Sequence, residues 1–255
     1  MNEAQASQDL KEIRKNILTM VHASGEGHIP SSFSIAELLY VIHANMGAED
    51  VFLLSKGHAS AGFYAVLAHF GRIDRKDLET FSRYDSFLGG HPKRFPAKGI
   101  HNSSGSLGHG FPMAAGYALA KKIKNEGGKV YCIVGDGETN EGTIWETAMY
   151  AEQLGLNNLV CVIDRNNSQT RAMTSVNIPE KFMAFGWEVR EVDGHDLESV
   201  ERGIFKEANS DKPLCVIANT VKGKGIKVME SDFFSWHHKA PNEEELALFI
   251  EELST

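Results

Sequence analysis

The stretch that decides the fold is Val130-Tyr131-Cys132-Ile133-Val134-Gly135-Asp136-Gly137. Its first five residues are almost wholly apolar, which is typical of a strand buried on both faces of a parallel sheet. Asp136 therefore follows the carboxyl end of a strand, the edge at which ligands bind in open α/β sheets. The glycines on either side, Gly135 and Gly137, let the backbone come close to a ligand.

A second strand delivers polar residues to the same edge. The sequence predicts a helix from about Thr139 to Leu154 and then an apolar strand over Leu159–Ile163, which leads into Asp164-Arg165-Asn166-Asn167. One strand–helix–strand unit thus brings a carboxylate and an amide oxygen together. Such oxygen ligands suit Mg²⁺ or Ca²⁺, and the ion that accompanies phosphate oxygens is usually Mg²⁺. We therefore expect a diphosphate held through a divalent ion.

This pattern resembles the thiamine diphosphate motif, which opens with Gly-Asp-Gly and closes with an Asn pair or its equivalent. The resemblance implies that Asp136, Asn166 and the backbone carbonyl of Ser168 are ligands of Mg²⁺, for which Ca²⁺ or Mn²⁺ could substitute. Glu141 matches an acidic residue that in transketolases belongs to a carboxylate network between paired active sites.

Composition excludes several other classes of protein. A chain of 255 residues can bury one large α/β core, and its net charge of -8 argues against a nucleic-acid partner. Residues 1–15 show no signal peptide, and no apolar run approaches the length of a membrane span. The three cysteines stand in apolar runs without a CxxC pair, so we expect buried thiols in a cytoplasmic protein without a membrane partner.

Periodicity predicts the remaining elements. Helices are expected over residues 2–23, 61–70, 74–84, 113–124, 197–208 and 243–253, and strands over residues 187–192 and 213–220. Ser34 and Glu37 predict a capping box at the start of a further helix. A Gly/Ser loop over residues 103–110 opens the helix at 113, and is either an anion-binding loop or a connector. No repeat or long linker interrupts the chain, so residues 1–255 are expected to form a single α/β domain, a parallel sheet with helices on both faces.

Further motifs, taken in order, resemble the N-terminal half of a transketolase from His28 to about Pro241. They are Gly27-His28-Ile29-Pro30-Ser31, Ser55-Lys56-Gly57-His58, Gly90-His91-Pro92, Ser104-Gly105-Ser106-Leu107-Gly108, Asp193-Gly194-His195-Asp196, Lys222-Gly223-Lys224-Gly225 and Trp236-His237.

The resemblance implies a role for each matching residue. The catalytic residues would be His28, His58, His91 and His237, and the substrate would contact His28, Ser31, His91 and His237. The cofactor would contact His58, Gly105, Ser106, Leu107, Gly135, Asp136, Gly137, Glu141, Asn166, Lys222 and His237. Histidine suits proton transfer because its ordinary pKa lies near neutrality.

The implied function is two-carbon ketol transfer from a ketose or ketose phosphate to an aldose. A full transketolase continues with a pyrimidine-binding domain, whereas this sequence stops at Thr255. We therefore expect one subunit of a split transketolase, active with a separate C-terminal subunit in an α2β2 assembly. The alternatives are the α subunit of a 2-oxo acid dehydrogenase and a non-catalytic cofactor-binding partner. Two departures from the family pattern, His109 and Asn167-Ser168-Gln169-Thr170-Arg171, bear on the substrate.

Overall fold

The computed structural model describes residues 2–171, 173, 177–206 and 211–254, and within them a five-stranded parallel sheet. The strands are β1 (Val51–Leu54), β2 (Val130–Gly135), β3 (Leu159–Arg165), β4 (Glu188–Asp193) and β5 (Leu214–Asn219). They pair in the order β1-β2-β3-β5-β4, with every neighbouring pair parallel.

Two apolar layers cover the sheet because successive strand residues point to opposite faces. In β2, Tyr131 and Ile133 join one buried cluster, whereas Val130, Cys132 and Val134 join the other. The predicted parallel sheet with helices on both faces is thereby confirmed.

The helices divide between these layers. They are α1 (Glu3–Ser24), α2 (Ile29–Phe33), α3 (Ala36–Asn45), α4 (Ser60–His69), α5 (Gly110–Lys124), α6 (Gly142–Gln153), α7 (Ile178–Ala184), α8 (Leu197–Phe205), α9 (Lys227–Ser231) and α10 (Glu243–Glu252). The apolar residues of α5, α6 and α7 belong to the cluster on one face, and those of α1 to α4 and α8 to the cluster on the other. Helix α8 lies opposite α7 because the chain turns back from β4 to β5, and right-handed crossovers that run in opposite directions place their helices on opposite faces.

Two sequence predictions of local structure are wrong, and strand β1 was not among the predicted elements. The expected helix over residues 74–84 is a short 3₁₀ helix, Arg75–Thr80. The capping box at Ser34 does not form, because α3 begins at Ala36 and the Ser34 hydroxyl donates to the Asp164 carboxylate at 2.8 Å instead. Glu37 is likewise taken up by a tertiary contact, an ion pair with Arg14.

The predicted burial of the three cysteines is confirmed. Cys132, Cys161 and Cys215 are free, fully buried and adjacent in register on β2, β3 and β5. In the part of the chain that the structure describes, no helix combines the length and apolar character needed to cross a bilayer.

Two glycines of α5 provide a matched test of the packing between this helix and β1. A Cβ at Gly110 would lie 2.5 Å from the Cα of Ser55, whereas a Cβ at Gly116 would meet nothing within 4 Å. We expect Gly110→Ala to lower the free energy of unfolding by about 1–3 kcal/mol through overpacking, and Gly116→Ala to raise it by about 0.5–1 kcal/mol through helix propensity. Urea denaturation of both variants measures the difference, and equal effects would show that α5 does not pack as described.

Candidate functional site

A cavity of about 410 Å³ opens at the carboxyl ends of the strands. The ends of β1, β2, β3 and β5 each contribute to its wall, as expected for an open α/β sheet. Its lining residues are His28, Lys56, His58, Leu107, Gly135, Asp136, Gly137, Glu138, Asn140, Asn166, Ser168, Gln169, Lys222 and His237.

Asp136 lies on the floor of this cavity with 2% of its surface exposed. Its two carboxylate oxygens accept hydrogen bonds from the backbone N–H of Gly137 at 2.8 Å and of Asn167 at 2.7 Å. Burial and the neighbouring Asp164 carboxylate raise the pKa of Asp136 to about 6. A buried carboxylate whose charge is only partly compensated is well placed to receive a cation.

Asp164 is the centre of a buried polar network beneath the cavity. Its carboxylate pairs with the ammonium of Lys56, and both side chains are at most 1% exposed. The same carboxylate accepts hydrogen bonds from the side chains of Ser34, Asn166 and Thr220. Burial alone would raise the pKa of Asp164, but Lys56 and these donors outweigh it, so that the pKa is lowered and the group stays ionised.

This network fixes the orientation of Asn166. The Asn166 Nδ2 donates to Asp164 Oδ2 at 2.8 Å, so the amide oxygen Oδ1 is turned the other way, where it accepts the Ser168 backbone N–H at 3.0 Å. The chain turns sharply here because Asn167 has a φ of 58°, a left-handed conformation that asparagine tolerates. The Asn166 amide therefore keeps its oxygen, not its nitrogen, available to a ligand, and Asn166 lines the same cavity as Asp136.

Histidines surround the outer part of the cavity. The ring centroid of His28 lies 5.4 Å from that of His58, 6.3 Å from that of His91 and 5.1 Å from that of His237. Desolvation, with the positive charge of neighbouring groups, lowers the pKa of His28 to about 3 and that of His237 to about 4, and it lowers the pKa of His58 and His91 as well. The rings are thus neutral near pH 7, a state in which each can accept a proton from a bound hydroxyl.

Lys222 places a positive charge against one of these rings. Its Nζ donates to His237 Nδ1 at 3.0 Å, and the residue is 4% exposed. Desolvation, assisted by the charge of Lys56, lowers the pKa of Lys222 to about 8. A cation that burial destabilises gains from an anionic partner, which a diphosphate would supply.

Glu138 fastens the Gly/Ser loop to the cavity. The buried carboxylate accepts hydrogen bonds from the Ser55 hydroxyl at 2.7 Å and from the backbone N–H of Gly108 and Gly135 at 2.9 and 2.8 Å. Burial raises its pKa. Because Glu138 holds Gly108, the neighbouring Leu107 side chain lies at the cavity wall.

The donor set of the cavity fits an oxygen-bound cation. Over the described ranges, which omit residues 1, 172, 174–176, 207–210 and 255, no three His, Cys, Asp or Glu side chains are arranged to hold a metal ion. The predicted ligands include only one such side chain, Asp136, beside an amide oxygen and a backbone carbonyl. Mg²⁺ is commonly bound through one or two carboxylates together with waters and phosphate oxygens, so this set is sufficient for it.

Comparison with known proteins decides the family. The family model described as "Transketolase, thiamine diphosphate binding domain" matches residues 6–253. The chain belongs to this transketolase family. It is 36% identical to one of the subunits of the apulose-4-phosphate transketolase of Actinobacillus succinogenes, over 95% of this chain and 94% of the relative. It is 34% identical to a 6-deoxy-6-sulfo-D-fructose transketolase subunit of Clostridium sp., over 91% and 90% of the two chains.

A solved transketolase shares the fold. The transketolase of Campylobacter jejuni superposes with a TM-score of 0.86 at 29% identity. The superposition covers 97% of the present chain and 43% of the Campylobacter chain. The present chain thus spans less than half the length of the Campylobacter transketolase.

The structure brings together most of the transketolase residues predicted from the sequence, but not all of them at the cavity wall. Gly105 and Ser106 are exposed beside it, and His91 is exposed near His28. Glu141 is exposed at the start of α6. Ser31 is fully buried, and its hydroxyl has no hydrogen-bond partner among the described residues, so its substrate contact stays a prediction.

The two departures from the family pattern lie near the cavity. His109 hydrogen-bonds locally, to the hydroxyl of Ser106 and the carbonyl of Leu107. In the other departure, Ser168 and Gln169 line the cavity wall. Residues 172 and 174–176, which follow it, lie outside the described residues.

Sequence reasoning gave no role to Lys56, Asp164, Glu138 or His238. The His238 ring lies 4.5 Å from that of His28, although the sequence favoured His237 alone as the histidine at this site. Lys56 and Asp164 each lie two residues before a predicted site residue, His58 and Asn166 respectively. A polar residue in such a position carries no signal that it will be buried. Only the fold pairs them.

Removing one member of the buried ion pair tests the network. We expect Lys56→Met to lower the free energy of unfolding by about 3–5 kcal/mol, because it leaves the Asp164 carboxylate buried without its cation. The exposed pair of Arg202 and Glu198 supplies the control, since Arg202→Met should change stability by about 0.5 kcal/mol or less. Urea unfolding is the measurement, and similar values for both variants would contradict the assigned role.

The raised pKa of Asp136 predicts how the metal-free chain responds to pH. Because the folded-state pKa of about 6 exceeds the ordinary value of 3.8, the folded chain holds a proton that the unfolded chain releases, and stability falls as pH rises between these values. From pH 5 to pH 7.5 the wild type should lose about 1–1.5 kcal/mol more than Asp136→Asn does. Denaturant titrations at the two pH values, with EDTA present, measure this loss, and parallel behaviour would refute it.

Proposed function

We propose that this chain is the thiamine diphosphate-binding subunit of a Mg²⁺-dependent transketolase, which transfers a two-carbon ketol unit from a ketose to an aldose. Membership of the transketolase family and full-length similarity to chains named as transketolase subunits support this proposal. The residues 1–255 would form a single domain that acts in the cytoplasm.

The orientation of Asn166 is the observation that carries the proposal. Asp164 holds the amide nitrogen, so Oδ1 would be the ligand atom of Asn166, together with the Asp136 carboxylate and the Ser168 carbonyl of residues that line the same cavity. Together these oxygens would hold Mg²⁺, and the ion would hold the diphosphate. Lys222 would balance the remaining negative charge from the neighbouring strand end. Gly105, Ser106 and Leu107 would contact the ring portion of the cofactor.

The histidines would act on the sugar. Thiamine diphosphate supplies, when bound, the carbon nucleophile that breaks and re-forms the bond beside the sugar carbonyl. Neutral His28, His58, His91 and His237 would accept and return the protons of the donor and acceptor hydroxyls. The His238 ring lies 4.5 Å from that of His28, beside this group.

A second subunit would complete the site in an α2β2 assembly. The relatives' names include the word subunit, which implies a separate partner for those proteins. On this chain, apolar side chains of Leu107, Met113 and Met149 are exposed, and Glu141 is exposed at the start of α6. A partner that covers this surface would remove apolar area from water.

No observation specifically favours the 2-oxo acid dehydrogenase alternative.

Reconstitution tests the proposal. The chain is purified with the polypeptide encoded beside it, supplied with Mg²⁺ and thiamine diphosphate, and assayed for aldose release from a panel of ketoses, their phosphates and their sulfonates, the substrate classes that the relatives' names contain. Turnover that stops on addition of EDTA supports the proposal. A complex that binds the cofactor and turns over no ketose would instead indicate a non-catalytic partner.

Two variants of the reconstituted enzyme separate binding from proton transfer. Asp136→Ala should abolish metal-dependent cofactor binding in calorimetry, since it removes the only charged ligand of the proposed set. His91→Ala should bind the cofactor normally and lose about 10²–10⁴-fold in kcat. His101→Ala is the control, because this half-buried histidine packs against Tyr117 outside the cavity. Loss of cofactor binding in the His91 variant would show that its role is misassigned.

A further inference from the structure

A second buried network lies behind the loop that carries Lys222. The Arg14 guanidinium of α1 donates to the Glu37 carboxylate of α3 at 2.7 Å, and the second oxygen of Glu37 lies 3.1 Å from His195 Nδ1. His195 stands in the turn between β4 and α8. All three side chains are 12% exposed or less. The Asp193-Gly194-His195-Asp196 motif has no assigned role in the site described above.

The other ends of this network hold the loop. The backbone N–H of Val221 donates to His195 Nε2 at 2.8 Å, and Arg14 Nε donates to the carbonyl of Lys224 at 3.1 Å. Both contacts reach residues that flank Lys222, one on each side. Because Nε2 accepts a hydrogen bond, it carries no proton, and the neutral ring donates from Nδ1 to Glu37. Glu37 thus fixes the tautomer of His195 that can accept the Val221 amide.

The Glu37 carboxylate remains charged inside this network because its partners compensate the charge. Burial alone would raise the pKa of Glu37, but the Arg14 guanidinium and the His195 hydrogen bond outweigh it, so that the pKa is lowered and the carboxylate stays ionised. A buried, fully hydrogen-bonded arrangement of this kind restricts the segments that it joins.

The held loop bears directly on the cavity. Lys222 extends from it to His237, and the Gly223 N–H donates to the carbonyl of Pro30, two residues from His28. Gly223 packs closely against α9, since a Cβ there would lie 2.7 Å from the backbone of Met229. Movement of residues 221–225 would therefore displace Lys222 and loosen the segment that carries His28.

We propose that Arg14, Glu37 and His195 form a clamp that positions Lys222 for the cofactor diphosphate, with His195 as a positioning residue that does not itself contact the cofactor. This inference rests on the proposed function, because it takes Lys222 to be a diphosphate contact. Loss of the clamp should therefore weaken diphosphate binding by way of Lys222, and it should have little further effect once the Lys222 side chain has been removed.

The test uses a double-mutant cycle on the full chain with its partner subunit. Thiamine diphosphate is titrated at fixed Mg²⁺ into the wild type, His195→Phe, Lys222→Ala and the double variant. We expect His195→Phe to weaken binding about 10-fold in the wild type and less than about 2-fold in the Lys222→Ala background. His195→Gln, whose amide oxygen can accept the Val221 N–H, should stay within about 2-fold of the wild type. His69→Phe is the matched control, since it removes a part-buried histidine paired with Asp9 far from the cavity.

Hydrogen exchange of the chain alone separates failure of the clamp from failure of the proposed function. Amides of residues 221–225 should exchange at least about 10-fold faster in His195→Phe than in the wild type or in His69→Phe, with or without cofactor. Unchanged exchange, or equal losses of affinity in both backgrounds of the cycle, would overturn the clamp. If the wild type binds no thiamine diphosphate, the proposed function fails and the positioning role fails with it, whatever the exchange shows.

Discussion

The ion pair between Lys56 and Asp164 is the interaction on which the site depends. Two charges removed from water must be paired and hydrogen-bonded to persist, and Asp164 meets this requirement with four side-chain partners. These partners come from the end of β1, the segment before α3, the end of β3 and the end of β5. A single carboxylate thereby fixes the relative positions of the segments that line the cavity, before any ligand binds.

Asp136 is destabilised as an anion chiefly because it is buried, and the Asp164 carboxylate adds to this by opposing ionisation of its neighbour. Lys56 is paired with Asp164, so it compensates the charge of Asp136 only in part. The chain accepts a destabilised group at this point, as functional sites commonly do. The Arg14–Glu37–His195 clamp, which holds the loop that carries Lys222, is a second buried charged network, and its groups are all paired. The buried charged groups behind the cavity are therefore fully paired, whereas the charge of Asp136 inside the cavity is only partly compensated.

Strands β2 and β3 and their polar ends were predictable because each is a continuous apolar run that stops at a distinctive motif. Strand β1 was missed because four residues give too short a pattern beside a polar segment. Ser34 and Glu37 matched a local capping rule, yet distant partners took both side chains, and a local rule cannot weigh a contact 130 residues away in sequence. Lys56 and Asp164 are 108 residues apart, so their pairing emerges only from the order of the strands.

Anomalous scattering from a crystal of the chain with its partner, grown with Mn²⁺ and thiamine diphosphate, would locate the bound cation. We expect one peak about 2.1 Å from the Asp136 carboxylate, from Asn166 Oδ1 and from the Ser168 carbonyl, with a diphosphate oxygen also in contact and Asn166 Nδ2 still bound to Asp164. A peak elsewhere in the cavity, or a cofactor bound while the Asn166 amide is reversed, would contradict this expectation.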